Sequence, residues 1–225
     1  MIEIDGKQVF TELSELVDPA RAALLVVDMQ RDFVAPGGAF DLLGIDLSMY
    51  PPMIARLVRL LDGARKAGVR VVHIAMTSLP DGASDSPAQL RFNLRLHQAS
   101  HGDTAPIRYG AEGTEGHEFI PELAPREGKL VVKKYRSSGF WATNLDLLLR
   151  SNGIETVVMT GGATEGCVES TARDAMFNDY YVVIAEDCVA SDDRAQHEAS
   201  MLLMRHRFDI AGSNEILGVW AARPR

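Results

Sequence analysis

Five short apolar runs constrain this chain more than any other feature. They are "AALLVVDM" (22–29), "VRVVHIAM" (69–76), "KLVVKK" (129–134), "TVVMTG" (156–161) and "YYVVIAED" (180–187). Four are rich in Val and Ile and nearly continuous. A half-exposed strand alternates apolar with polar residues, whereas a strand covered on both faces does not. Helical spacings lie between the runs. "PPMIARLVRLLDGARKAG" (51–68) puts Ile54, Leu57, Val58 and Leu61 on one face, opens on proline and stops at Gly68. "TNLDLLLRSNG" (143–153) has Thr143 or Asn144 as a cap and Gly153 as a stop. "CVESTARDAMFND" (167–179) and "HEASMLLMRHRF" (197–208) are two more. Strands alternating with helices make βαβ units with right-handed crossovers. The predicted fold is α/β: a three-layer, doubly wound, Rossmann-like, mostly parallel sheet with helices on both faces.

The length of 225 residues suits a single domain over 1–225. One region resists the pattern. From Ser78 to Gly128 periodicity is weak and Gly, Pro, Ser, Asp and His are frequent. So long a stretch without clear elements inside a compact domain reads as a lid or pocket-wall insertion. The start, through about Asp18, reads either as an arm on a neighbouring subunit or as a frayed end.

The net charge of −8 makes nucleic acid and anionic membranes poor partners. No apolar stretch approaches the roughly 18 residues of a membrane span. "MIEIDGKQVFTELSEL" lacks the basic start and apolar block of a signal peptide. Two cysteines are no disulfide framework, so the expected location is the cytoplasm, with both thiols reduced.

In doubly wound sheets ligands bind outside the carboxyl ends of the strands. The first strand ends at Asp28, the third at Lys134, and Cys167 follows the fourth at the start of a helix. A carboxylate, an ammonium and a thiol therefore share one edge. These types suit nucleophilic catalysis. A free thiol has a pKa of roughly 8.5 and needs activation near neutrality. The partial positive charge of a helix N-terminus and the Lys134 ammonium would both favour the anion. A depression of about two units corresponds to about 2.7 kcal/mol. Asp28 would take the proton as general base. Each residue also has a plainer reading: Asp28 as a turn residue, Lys134 as a solvated lysine, Cys167 as a small buried side chain. Cys188 reads as packing. The six histidines (73, 97, 101, 117, 197, 206) show no metal-ligand spacing, and "TGGATEG" makes neither a GxGxxG nor a Walker loop. No metal and no cofactor are expected.

"ALLVVDMQRDFV", "VVKKYRSSGFWATNLDLLL" and "TGGATEGCVESTARDAMFNDYYVVIAEDCVAS" resemble the isochorismatase-like cysteine hydrolases. That superfamily includes N-carbamoylsarcosine amidase, nicotinamidase and the maleamate, biuret, triuret and ureidoacrylate amidohydrolases. The resemblance covers roughly 20–76 and 128–210. It implies Asp28, Lys134 and Cys167 as a catalytic triad, with Lys134 favoured over Lys133 by the register of "KYRSSGF". It implies a cis peptide at Gly162–Ala163, which turns the backbone N–H groups of Ala163 and Cys167 toward one point as an oxyanion hole. Gln30, Phe33, Arg136, Phe140 and Trp141 are candidate substrate-binding residues. The second strand is followed by "HIAMTSLPDG", without the Asp-x-His element of metal-dependent nicotinamidases, and Cys167 is unneeded by true isochorismatases. "GGAFDLLGIDLS", "SSGF" and "CVESTARDAMF" look most like the ureidoacrylate, biuret and triuret group. The implied activity is hydrolysis of a ureido or carbamoyl C–N bond through a Cys thioester, with a homodimer or homotetramer as the assembly. The alternatives are an amidase for a carboxylate-bearing amide of N-carbamoylsarcosine or maleamate type, and a catalytically silent binding protein on the same scaffold.

Overall fold

A computed structural model describes residues 1–101, 108–129 and 131–222. Leu130 of the third run, part of the 78–128 segment, and the His97 and His101 side chains lie outside what is described. In chain order the elements are β1 (Ile2–Ile4), β2 (Lys7–Val9), α1 (Leu13–Leu16), β3 (Ala22–Val27), α2 (Arg31–Val34), α3 (Ala39–Leu42), α4 (Tyr50–Ala67), β4 (Arg70–Met76), α5 (Pro87–His101), β5 (Val131–Lys134), α6 (Leu145–Arg150), β6 (Thr156–Gly162), α7 (Glu169–Phe177), β7 (Tyr181–Ala190), α8 (Arg194–Arg205), β8 (Asp209–Ala211) and α9 (Ser213–Ala222).

Six strands form one parallel sheet in the order β5-β4-β3-β6-β7-β8. The near-continuous apolar runs have the predicted cause. Every residue of β3 is fully buried, because both sheet faces are covered. Successive side chains leave opposite faces of a strand. Leu24 and Val26 accordingly enter one core with Leu57, Leu60 and Leu61 of α4 and Trp220 of α9. Ala23, Leu25 and Val27 enter the other with Leu145 and Leu149 of α6, Ala172 and Ala175 of α7, and Met201 and Met204 of α8. Each fully buried Leu contributes about 1.5–3 kcal/mol. Gly68 closes α4 in a left-handed conformation, φ 79°, its N–H donating to Ala64 O.

The order of strands reverses at β3: β4 and β5 are added on one side, β6, β7 and β8 on the other. A crevice opens at such a switch point, outside the carboxyl ends of the strands. Gly161 keeps β6 against β3 there. Its φ is +106°, and a Cβ on it would overlap the Val27 carbonyl oxygen.

Several expectations need correction. Strand β3 stops at Val27, since Asp28 takes φ 52°. Residues 78–128 are not bare of elements: they carry the fifteen-residue α5 and short 3₁₀ turns at Pro80–Gly82, Glu115–His117 and Pro121–Leu123. Helix α5 escapes a search for apolar periodicity because Leu90, Phe92 and Leu96 are all about half exposed and mark no single core face. The start is neither frayed nor reaching away throughout. Strands β1 and β2 pair as an antiparallel hairpin, Phe10 stacks on Tyr181 at 4.8 Å, and Val17 O accepts the Trp220 indole N–H at 2.8 Å. Elements β8 and α9 were absent from the sequence reading; three residues, "DIA", are too few to show a period. Helix α8 begins earlier than 197, at Arg194, because the Asp193 carboxylate accepts the Gln196 N–H at 3.0 Å and caps it. Among the described residues no helix is long and apolar enough to cross a membrane.

His73 on β4 carries a stability prediction. It is 2% exposed, its Nε2 lies 2.9 Å from Leu123 O, and Nδ1 has no partner among the described residues. Burial pushes its pKa down from 6.5 to about 4, against the hydrogen bond to Leu123. The unfolded chain therefore takes up a proton that the folded chain refuses. The contribution is complete above pH 6.5 and is lost as pH falls toward 4, amounting to about 3 kcal/mol. His73→Gln keeps an N–H donor and cannot titrate. Denaturant unfolding at pH 7 and pH 4 should show a smaller acid loss in that variant, and an unchanged difference would refute the assignment.

Candidate active site

The carboxyl ends of β3, β5 and β6 bring Asp28, Lys134 and Cys167 together. Asp28 is locked by the sheet beside it: its N–H donates to Ile74 O at 2.9 Å, and its Oδ1 accepts the Met76 N–H at 2.8 Å. The φ of 52° is one that Asp tolerates better than most residues, and it turns the carboxylate toward β4 and β5. Oδ2 pairs with Lys134 Nζ at 2.8 Å. The Lys134 side chain is fully buried, and the same ammonium reaches Cys167 Sγ at 3.1 Å and Arg136 O at 3.1 Å. Lys133 points to the other side of β5 and pairs with Glu112 near the surface. The alternation of a strand thus decides between two adjacent lysines.

Cys167 lies in a π-type turn, Thr164–Val168, that joins β6 to α7. The sequence reading placed it at the first turn of an ordinary helix. The difference has a consequence for the backbone. Ala163 O accepts from Gly166 N at 3.2 Å and from Val168 N at 3.2 Å, and not from the Cys167 N–H between them. Wide turns of this kind recur at functional sites because they release main-chain donors. The Gly162–Ala163 peptide is cis.

Burial also reverses one electrostatic expectation. Lost hydration, reinforced by the Asp28 carboxylate, pushes the Cys167 thiol up to about 12, against the pull of the Lys134 ammonium. The sequence reading expected a lowered thiol. A helix dipole and one cation do not offset removal from water beside a carboxylate. Burial alone would disfavour the Lys134 ammonium, but Asp28 and the Cys167 sulfur outweigh it and hold the ammonium well above the usual lysine range. The resting site is therefore a carboxylate–ammonium pair beside a neutral thiol.

The three groups meet at a cavity of about 880 Å³, which Asp28 and Cys167 line. Of the candidate substrate-binding residues, Phe33 lines it, in an edge-to-face cluster with Phe40 (5.1 Å) and Tyr109 (5.3 Å). Ala163 lines it too. The other four stand elsewhere. Gln30 is fully buried and straps loops together, donating to Met76 O at 3.0 Å and His117 O at 2.8 Å. Phe140 packs against Tyr180 at 5.8 Å beside the second core. The Arg136 guanidinium lies over Trp141 at 5.6 Å and donates to Ser84 O at 3.2 Å, so only its carbonyl faces the triad. Trp141 is 56% exposed and lines an outer depression with Arg136. The chain turns outward after β5, and nearness in sequence to Lys134 does not become nearness in space.

The sequence reading missed several cavity residues: Tyr50, Arg91, Arg95, Glu165 and Asp192. Glu165 was legible in principle, two residues before Cys167. Arg91 and Arg95 ride on α5, whose weak periodicity hid the helix itself. Cys188 is fully buried, as packing requires. Among the described residues no group of three His, Cys, Asp or Glu side chains is placed to hold a metal.

The isochorismatase domain model matches residues 22–215, and the chain belongs to the isochorismatase family of hydrolases. Among solved structures it is 30% identical to an isochorismatase-like hydrolase from Alkaliphilus metalliredigens, with a TM-score of 0.70, covering 89% of this chain and 99% of that one. A cysteine hydrolase from Pseudomonas syringae pv. phaseolicola 1448A is 25% identical, TM-score 0.76, over 92% and 95%. N-carbamoylsarcosine amidase from Thermoplasma acidophilum is 29% identical, TM-score 0.65, over 86% and 97%.

Proposed function

We propose that this protein is a cysteine amidohydrolase that cleaves a C–N bond of a small ureido or carbamoyl compound of biuret, triuret or ureidoacrylate type. The observation that carries the reading is the buried Lys134 ammonium, 2.8 Å from the Asp28 carboxylate and 3.1 Å from the Cys167 sulfur at the cavity wall. A lysine so placed has no role in solvation, and its neighbours are a nucleophile and a base.

The mechanism follows from a neutral thiol. Attack and deprotonation occur together: the Cys167 proton passes to Asp28 as the sulfur bonds to the carbonyl carbon. The carbonyl oxygen becomes an oxyanion, facing the Ala163 and Cys167 N–H groups. The C–N bond breaks, and the leaving nitrogen takes the proton from Asp28. A water then attacks the thioester, giving one proton to Asp28, which returns it to the departing sulfur. Lys134 remains an ammonium throughout; it holds Asp28 in place and stabilises negative charge on sulfur. Segment 78–128 supplies a wall through α5, and we read residues 1–225 as one domain acting in the cytoplasm as a homodimer or homotetramer.

A second reading is favoured by one observation. Arg91 and Arg95 line the cavity, and arginine suits a carboxylate. An amide that bears a carboxylate, of N-carbamoylsarcosine or maleamate type, fits that wall. Ammonia release from biuret, triuret, ureidoacrylate, N-carbamoylsarcosine, maleamate and nicotinamide separates the readings. The first expects turnover of neutral biuret; the second expects N-carbamoylsarcosine or maleamate alone. Turnover of none of the six would reject both.

A further inference from the structure

Tyr50, the first residue of α4, is 2% exposed and lines the cavity. It packs on Gly162 so closely that a Cβ there would meet its ring at 2.8 Å and its Oη at 2.9 Å. Its hydroxyl has no hydrogen-bond partner among the described residues, although buried hydroxyls are almost always paired. A phenol whose partner is not in the protein, opening on a cavity next to a nucleophile, is addressed to what fills the cavity.

Its surroundings say what that is. The cavity that Tyr50 lines also carries the carboxylates of Asp28, Glu165 and Asp192. Glu165 and Asp192 line the same cavity, and Glu165 Oε2 is a buried acceptor without a donor among the described residues. Burial pushes the Glu165 carboxyl up, with its own backbone N–H only partly offsetting it. Glu165 precedes Cys167 in the turn after β6, Asp192 follows β7, and α4, which opens at Tyr50, packs against β7, whereas α5 with Arg91 and Arg95 belongs to the β4–β5 connection. Tyr50, Glu165 and Asp192 therefore offer acceptors in excess of donors.

We propose that Tyr50, Glu165 and Asp192 form an acceptor-lined subsite beside Cys167 that binds an N–H donor group of the substrate, a terminal amino or ureido nitrogen beyond the carbonyl under attack. This rests on the amidohydrolase reading and specifies its substrate class: amides with a second, donor-bearing nitrogen. A hydrogen bond to a charged acceptor contributes enough for roughly tenfold or more in selectivity.

The test compares biuret with acetylurea, which replaces the terminal amino group of biuret by a methyl. The biuret-to-acetylurea ratio of kcat/KM should fall about tenfold in Tyr50→Phe and in Glu165→Gln. Tyr50→Phe should keep the parent melting temperature, since the hydroxyl holds nothing in the fold. Ratios within twofold of the parent in both variants would overturn the subsite. Calorimetric binding of the two compounds to Cys167→Ser protein gives the same comparison without chemistry. Tighter binding of biuret, weakened when Tyr50→Phe or Glu165→Gln is added, supports the subsite even if no amide is turned over; equal binding rejects it even if turnover is found.

Discussion

Cys167→Ser is expected to lower ammonia release from the best substrate by at least about a thousandfold, because losing the nucleophile of a covalent mechanism removes most of its rate advantage. A serine hydroxyl is a far weaker acid than a thiol, and Asp28 is too weak a base to draw off its proton. The change replaces one atom at a half-buried position that contributes little to either core. The melting temperature should therefore shift by no more than about 2 °C. Activity is measured by coupled ammonia detection and stability by calorimetry on the same preparation. Retained turnover would mean that water attacks directly and that no thioester forms.

Lys134→Met should damage both activity and stability, and the two losses should come apart in a double variant. Asp28 is 4% exposed and Lys134 is not exposed at all. Removing one partner of such a pair leaves a buried charge, at a cost of about 3–5 kcal/mol. For a chain of this size that is a fall in melting temperature of about 6–20 °C. The Met76 N–H still donates to Asp28 and limits the damage. Turnover should drop at least about a thousandfold, as no cation then holds Asp28 Oδ2 against the thiol or stabilises the sulfur anion. Asp28→Asn added to Lys134→Met removes the stranded charge. It should recover more than half of the lost stability and none of the activity. A single variant as stable as the parent would show that the pair contributes nothing net to folding.

Much of this was readable in the chain, for stated reasons. Doubly covered strands lose their polar alternation, so β3, β4, β6 and β7 showed as Val-rich runs, and the edge carrying Asp28, Lys134 and Cys167 followed from where those runs end. What depends on three-dimensional course was not readable. Gln30, Arg136, Phe140 and Trp141 follow Asp28 or Lys134 closely, yet loop turns carry their side chains to straps, cores and surface. Tyr50 joins the cavity from a helix start more than a hundred residues before Cys167, through the closeness of Gly162. The ionisation of the thiol is not legible either, because spacing shows which charges are near and not how much water is lost.

At the seam between β3 and β6 the main chain of Gly161 rests directly on that of Val27, with no room for a side chain between them. The sulfur and the carboxylate hang from the two sides of that joint. Their separation is thus inherited from the repeat distance of the backbone ladder and owes little to how neighbouring side chains mesh. Gly161→Ala, one methyl at the joint, would pry the sulfur and the carboxylate apart.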